Sequence, residues 1–241
     1  MKDTLKGFAL AVSMLTILPF FKVHEFSKGI NGYAVMAYPL VGFMLGAILY
    51  GVHFLLAPYL SSFHLGVIIF ALWVLLTGGL HLDGLCDTID GLYVKKERAL
   101  EVMKDPHNGG MGMIFGGVFL LLKASTLAAF DAFYLLPIVL MFSRLSIVLA
   151  TYYYPYVSPS GMAILAKEEL TRKQMFIAFI YSTIIGTLFG AFTLLVSMLL
   201  ILFVIKNFFI KRYGGFTGDI YGFSIEVIEL ILLNAILIGL V

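Results

Sequence analysis

Residues 65–91 read LGVIIFALWVLLTGGLHLDGLCDTIDG. The stretch 65–80 carries no charge, and the part that follows sets down Asp83, Asp87 and Asp90 in close succession. An uncharged apolar run of this kind reads as a helix, because a lone strand in lipid would leave its backbone N–H and C=O groups unpaired. Aspartates at relative positions 0, 4 and 7 fall within roughly 60° of one another at about 100° per residue. They therefore share one helix face at the water-facing end of an apolar segment. Three close carboxylates repel, and desolvating them at a membrane boundary is costly. A divalent cation relieves both problems, and Mg²⁺ suits hard oxygen ligands that share its coordination sphere with substrate phosphates; a solvated helix end whose aspartates pair with Lys95, Lys96 or Arg98 is the plainer alternative.

Outward from this stretch the same texture recurs. Apolar runs cover about 8–21, 33–57, 112–130, 133–152, 175–205 and 225–241, several near the roughly 20 residues that cross a hydrocarbon core. Of the 241 residues 61% are hydrophobic and 12% charged, too little charge to cover a soluble domain of this size. The chain is expected to be all-α: a polytopic integral membrane helical bundle of about 6–8 transmembrane or re-entrant helices. Residues 1–241 are read as a single membrane-embedded domain, with membrane lipid as its surroundings.

Lysine and arginine set the orientation. They gather in 81–110 (Lys95, Lys96, Arg98, Lys104), 153–174 (Lys167, Arg172, Lys173) and 206–222 (Lys206, Lys211, Arg212), whereas 58–64 and 131–137 have none. The positive-inside rule puts the three basic loops, and the acids beside them, on the cytoplasmic side of the cell membrane. With both ends cytoplasmic, 175–205 must cross twice or fold back. As one helix it would reach roughly 46 Å, so a turn near Gly186 and Gly190 or slightly later is expected. The first run, flanked by Lys2 and Lys6 and ended by Pro19 and Lys22, reads as a retained re-entrant or interfacial segment, not a signal peptide. The net charge of +2, dispersed in short loops, fits topology and not a nucleic-acid surface. Cys86, the single cysteine, excludes an intrachain disulfide framework.

Two further segments are candidates for chemistry. Lys104-Asp105-Pro106-His107-Asn108-Gly109-Gly110-Met111-Gly112 combines a cation with glycines that allow close backbone approach to a phosphate at a helix start; an ordinary turn is the plainer reading. Tyr213-Gly214-Gly215-Phe216-Thr217-Gly218-Asp219-Ile220-Tyr221-Gly222, with Glu226 beyond it, places a carboxylate in a break between apolar helices. Asp219 there completes the metal site, binds a second ion, or caps the last helix. Gly215, Thr217 and Gly218 join Gly109 as candidate phosphate-binding positions. His81 and His107 flank the acidic motifs and are candidates for catalytic or phosphate roles, while His24, His53 and His64 read as incidental. Arg144 lies inside an apolar run, so it is expected to face the interior and pair with an acid or a phosphate.

Taken together, these residues resemble a known family. Gly78-Gly79-Leu80-His81-Leu82-Asp83-Gly84-Leu85 with Asp87, Thr88, Asp90 and Gly91 is similar to the signature of cobalamin synthase, the adenosylcobinamide-GDP ribazoletransferase family. Glu97-Arg98, Glu101-Val102-Met103-Lys104-Asp105 and Gly214-Gly215-Phe216-Thr217-Gly218-Asp219 follow in the same order, and Leu15-Thr16-Ile17-Leu18-Pro19 resembles its opening. After Asp105 the family usually has Ser-Arg-Ile-Gly-Thr; here His107 stands in place of the arginine.

The resemblance implies a reaction. A hydroxyl of α-ribazole, or of its 5′-phosphate, attacks the phosphorus linked to cobinamide in adenosylcobinamide-GDP; GMP leaves, and the nucleotide loop of cobalamin closes. On that reading Asp83, Asp87, Asp90 and Asp219 hold Mg²⁺, Asp105 or His81 is the general base, His107 supports catalysis, and Lys104 and Arg144 hold phosphate oxygens. No nucleic acid is involved. A homo-oligomer is compatible with such a chain, whose assembly the sequence leaves open.

Other classes also place acids in membranes. A CDP-alcohol phosphotransferase needs an arginine and glycine arrangement between its aspartates that is missing here, and prenyltransferases lack the Gly-Gly-Leu-His-Leu lead-in. A cation- or proton-coupled transporter would set its acids mid-helix.

Overall fold

The structure, a computed structural model, describes residues 2–18, 28–105, 107, 109–158 and 161–240. Pro19, Lys22, His24, Pro106 and Asn108 lie outside them. The described residues form α1 (Lys2–Leu15), α2 (Ile30–Leu56), α3 (Ser62–Thr77), α4 (Leu80–Leu92), α5 (Lys96–Val102), α6 (Gly110–Ala128), α7 (Leu136–Tyr153), α8 (Met162–Glu169), α9 (Arg172–Leu188), α10 (Phe192–Tyr213) and α11 (Gly218–Leu237). A short 3₁₀ turn, Phe133–Leu135, leads into α7. The only pairing of β type among them is an isolated bridge between Tyr156 and Phe216.

Five helices are long and apolar enough to cross a bilayer: α2, α6, α7 with its 3₁₀ lead-in, α10 and α11; α3 and α4, bent by 85° at their junction, make up to six. The chain is a multi-pass helical membrane protein. Its outer faces agree, since Leu121, Leu188, Leu200, Phe203 and Val204 are exposed in rows that water would penalise and lipid accepts.

α7 is the axis of the bundle, and every residue from Leu136 to Thr151 is buried. Helices approach it closely only where side chains are small. A Cβ on Gly42 would collide with the Leu140 carbonyl, and one on Gly46 with the Pro137 backbone. These two glycines, one turn apart on α2, form a contact of the small-xxx-small type.

The 175–205 run divides as its length demanded, with α9 ending at Leu188, Gly190 at φ 70°, and α10 starting at Phe192. The first run forms α1, whose Ala9, Leu10, Ala11, Val12 and Leu15 are buried in the core.

Candidate active site

Two glycines turn the chain out of its apolar run. Gly78 (φ 62°) and Gly79 (φ 71°) adopt the left-handed conformation that other residues avoid. Their N–H groups donate back to Leu75 (3.0 Å) and Val74 (3.1 Å), closing α3. α4 then leaves at 85° and carries all three aspartates. At its far end Tyr213 donates its hydroxyl to the Gly91 carbonyl (3.0 Å), and Arg212 donates to that of Leu92 (2.8 Å).

The aspartates do different things. Asp83 is exposed and Asp87 half-buried, and among the described residues no lysine or arginine forms an ion pair with either. Asp90 is buried. Its two oxygens accept the N–H groups of Gly109 and Gly112, both at 2.8 Å, so Asp90 caps α6 from across the structure. The glycines are required there, since a Cβ at either would strike the Asp90 carboxylate. The N–H group of Gly109, a candidate phosphate-binding position, is thus engaged by Asp90, as is that of Gly112 one turn on.

Asp219 reaches the same face because α4 and α11 cross in backbone contact. A Cβ on Gly84 would lie 2.9 Å from the Asp219 carbonyl oxygen, and one on Gly222 3.0 Å from that of His81. Asp219 does not cap α11. That role falls to Thr217, whose hydroxyl accepts from the Ile220 N–H (3.2 Å) and donates to Asp219 Oδ2 (3.3 Å). Gly215 packs against the 155–157 backbone, where Phe216 N–H donates to Pro155 (2.8 Å) and Val157 N–H to Phe216 (2.9 Å).

A cavity of about 550 Å³ opens beside this crossing, and His81, Asp83, Lys104, Arg144, Gly218 and Asp219 all line it. Tyr38, Tyr156 and Tyr221 add aromatic surface. Asp87, Asp90, Asp105, His107, Gly109, Gly215 and Thr217 are not on its wall. Asp105 and His107 are exposed beside Lys104, and His107 donates to Asp105 Oδ1 through its backbone N–H (3.0 Å) and ring Nδ1 (2.8 Å). Those two bonds hold the Asp105 carboxyl below the usual carboxylate range. Among the described residues no three of His, Cys, Asp and Glu are gathered closely enough to hold a metal ion by themselves.

Below the acids lies a buried network only partly legible from the sequence. Lys123 donates to Glu226 (2.7 Å) and Glu229 (2.6 Å) and sits 4.1 Å over the Trp73 ring. Arg144, wholly buried, faces the interior as expected and pairs with Glu229. Lys123 and Glu229 were not among the candidates. Their signal was the one that identified Arg144, an ionisable residue within an apolar run.

Fold and site define a class: a multi-pass helical membrane protein with an acid-rimmed cavity at the crossing of two helices. The protein-family model for cobalamin-5-phosphate synthase matches residues 7–237, and the chain belongs to that family. It is 37% identical to an adenosylcobinamide-GDP ribazoletransferase of Desulforamulus reducens, over 95% of each chain. It is 38% identical to one of Thermosynechococcus vestitus, over 83% of this chain and 84% of the relative. It is 33% identical to one of Pseudomonas aeruginosa, over 98% and 99%. No solved structure matches the chain.

Proposed function

We propose that the protein transfers the adenosylcobinamide-phosphate moiety of adenosylcobinamide-GDP to α-ribazole or α-ribazole 5′-phosphate, with Mg²⁺, at the cytoplasmic face of the cell membrane. The acceptor hydroxyl oxygen forms a bond to the phosphorus linked to cobinamide. The bond from that phosphorus to the bridging oxygen breaks, GMP departs, and the hydroxyl proton passes to a base. The observation that carries the reading is the joining of Asp83 and Asp219 on one cavity wall, in a chain whose relatives bear the name of this transferase.

The residues present fit Mg²⁺. Asp83 and Asp87 lie one turn apart on α4 and Asp219 joins them across the glycine crossing, and this ion needs only one or two protein carboxylates when substrate phosphates complete its shell. Asp83 and Asp219, which share the cavity wall, would hold it together with substrate phosphates, with Asp87 one turn along α4 adding negative charge and Asp90 holding the start of α6. When bound, the ion supplies neutralising charge to the diphosphate.

Lys104 lines the cavity, and a lysine ammonium is a donor suited to a phosphate oxygen. The Asp105–His107 pair beside it is the proposed base: a carboxylate that accepts from Nδ1–H leaves the Nε2 lone pair of His107 for the hydroxyl proton. The orientation rests on three basic loops that all reach the same cavity, through Lys104, through Tyr156 and Ser158, and through Gly218 and Asp219.

The test is to supply purified protein with adenosylcobinamide-GDP, α-ribazole 5′-phosphate and Mg²⁺ and to follow products by chromatography. Cobalamin phosphate and GMP are expected, and both should vanish with EDTA and in Asp83→Asn. Folded wild-type protein that forms no product, beside an active synthase control, would overturn the reading.

A further inference from the structure

Within the described residues, four helices contribute to one chain of polar contacts that ends on the cavity wall. Lys123 of α6 donates to Glu226 and Glu229 of α11; Glu229 Oε1 accepts from Ser143 (3.1 Å) and from Arg144 Nη1, both of α7. Arg144 Nη2 lies 3.4 Å from Nδ1 of His81 on α4. The two lysine and arginine charges and the two glutamate charges cancel, so the cluster is electrically complete before His81 is counted.

Direction is fixed by chemistry. A guanidinium has donors only. Facing Arg144, His81 Nδ1 must therefore be the acceptor, and the ring hydrogen belongs to Nε2. That Nε2 is buried and has no hydrogen-bond partner among the described residues, and the same is true of Arg144 Nε. His81 is 4% exposed and Arg144 0%, yet both line the cavity. Buried donors are rarely left unpaired in folded proteins, and both residues line the cavity, so an acceptor oxygen supplied by a ligand there would satisfy them.

We infer that His81 and Arg144 form a donor pair for a phosphoryl oxygen of the substrate, with His81 acting through Nε2–H as a hydrogen-bond donor and not as the general base, and with Glu229 as the positioning residue that holds Arg144 against it. The inference rests on the proposed transferase reaction. It assigns His81 the work of stabilising charge that develops on phosphoryl oxygens as the leaving GMP departs, and it leaves the proton to the Asp105–His107 pair.

The experiment compares His81→Ala, His81→Gln, Glu229→Gln and the His81→Ala/Glu229→Gln double variant in the transfer assay, alongside ¹⁵N NMR of histidine-labelled wild-type protein. Loss of one such donor lowers kcat by about 100-fold or more, and that is expected for His81→Ala. His81→Gln, whose amide keeps an N–H donor, should recover at least about tenfold of this. Glu229→Gln should lower kcat more than it raises KM, and its cost should be clearly smaller once His81 is alanine, because the two act through one shared contact. His81→Gln as inactive as His81→Ala, or losses that multiply in the double variant, would overturn the proposal. The NMR measurement needs no variant: a His81 signal of the Nε2–H tautomer is expected, and an Nδ1–H signal would overturn it. Absence of product from wild type would instead strike the transferase reading, while the tautomer would still be read.

Discussion

Asp83 and Asp90 are identical residues seven positions apart on one helix, yet the structure gives them opposite tasks. Asp83 is exposed on the cavity wall, whereas both oxygens of Asp90 are engaged by Gly109 and Gly112. Asp83→Asn is therefore expected to abolish transfer and leave thermal stability in detergent unchanged. Asp90→Asn must turn an amide NH₂ towards a backbone N–H, and should cost about 1–3 kcal/mol of stability; a calorimetric or light-scattering melt separates the two variants. Asp105 yields a pH expectation. Its carboxyl is held below the ordinary value by the backbone and ring N–H of His107, so the folded form binds its proton less readily than the unfolded chain. The contact is then fully present above the ordinary carboxylate range and lost as pH falls through the lowered value. The ¹⁵N signal of His107 should report an intact pair at neutral pH and an Asp105-linked change only in acid. A pair that opens near neutral pH would contradict this.

Among the helices, the site depends on how closely α4 and α11 cross. Gly84 and Gly222 bring two backbones into contact and so set Asp219 on the same cavity wall as Asp83. Gly222→Ala would press a methyl group against the His81 carbonyl. It is expected to cost about 1–3 kcal/mol and to reduce transfer through displaced carboxylates, with the loss appearing in kcat before the protein unfolds. An active and stable Gly222→Ala would show that the two helices can part enough to admit a methyl group. The helices themselves were legible. Acids at 0, 4 and 7 were read onto one helix face, and α4 carries them; 175–205 was too long for one crossing, and Gly190 divides it. The capping of α6 was not legible, because its cap is an aspartate on another helix and no spacing rule connects 90 to 109.

Across the whole molecule, the buried charges bind helices that the lipid cannot press together. Lys123, Glu226, Glu229 and Arg144 are all nearly or wholly inaccessible, and removing one partner strands the others. Lys123→Met is expected to destabilise the protein by about 3–5 kcal/mol, read as a lowered melting temperature. A neutral outcome would mean that Arg144 alone satisfies both glutamates. Orientation is a second property of this scale. In a Cys86→Ser background, Lys95→Cys and Arg172→Cys should react with an impermeant thiol reagent only in inside-out vesicles, and Asp131→Cys only in intact spheroplasts. The opposite pattern would place the site outside.

The sequence by itself determined the solvent and the elements. Apolar runs of membrane length, basic loops and three aspartates on one helix face follow from periodicity and composition, which act over one or two turns and are written locally. It also placed Arg144 inside the protein, because an unpaired guanidinium in lipid is too costly to persist. Only the tertiary structure decided who pairs with whom. Glu229 lies 85 residues from Arg144 in the chain and Asp90 22 from Gly112, and such contacts exist only after glycines at 42, 46, 84 and 222 let helices meet at backbone distance. The physical reason is range: a helix dictates which side chains share its face, but not which face of another helix will arrive against them.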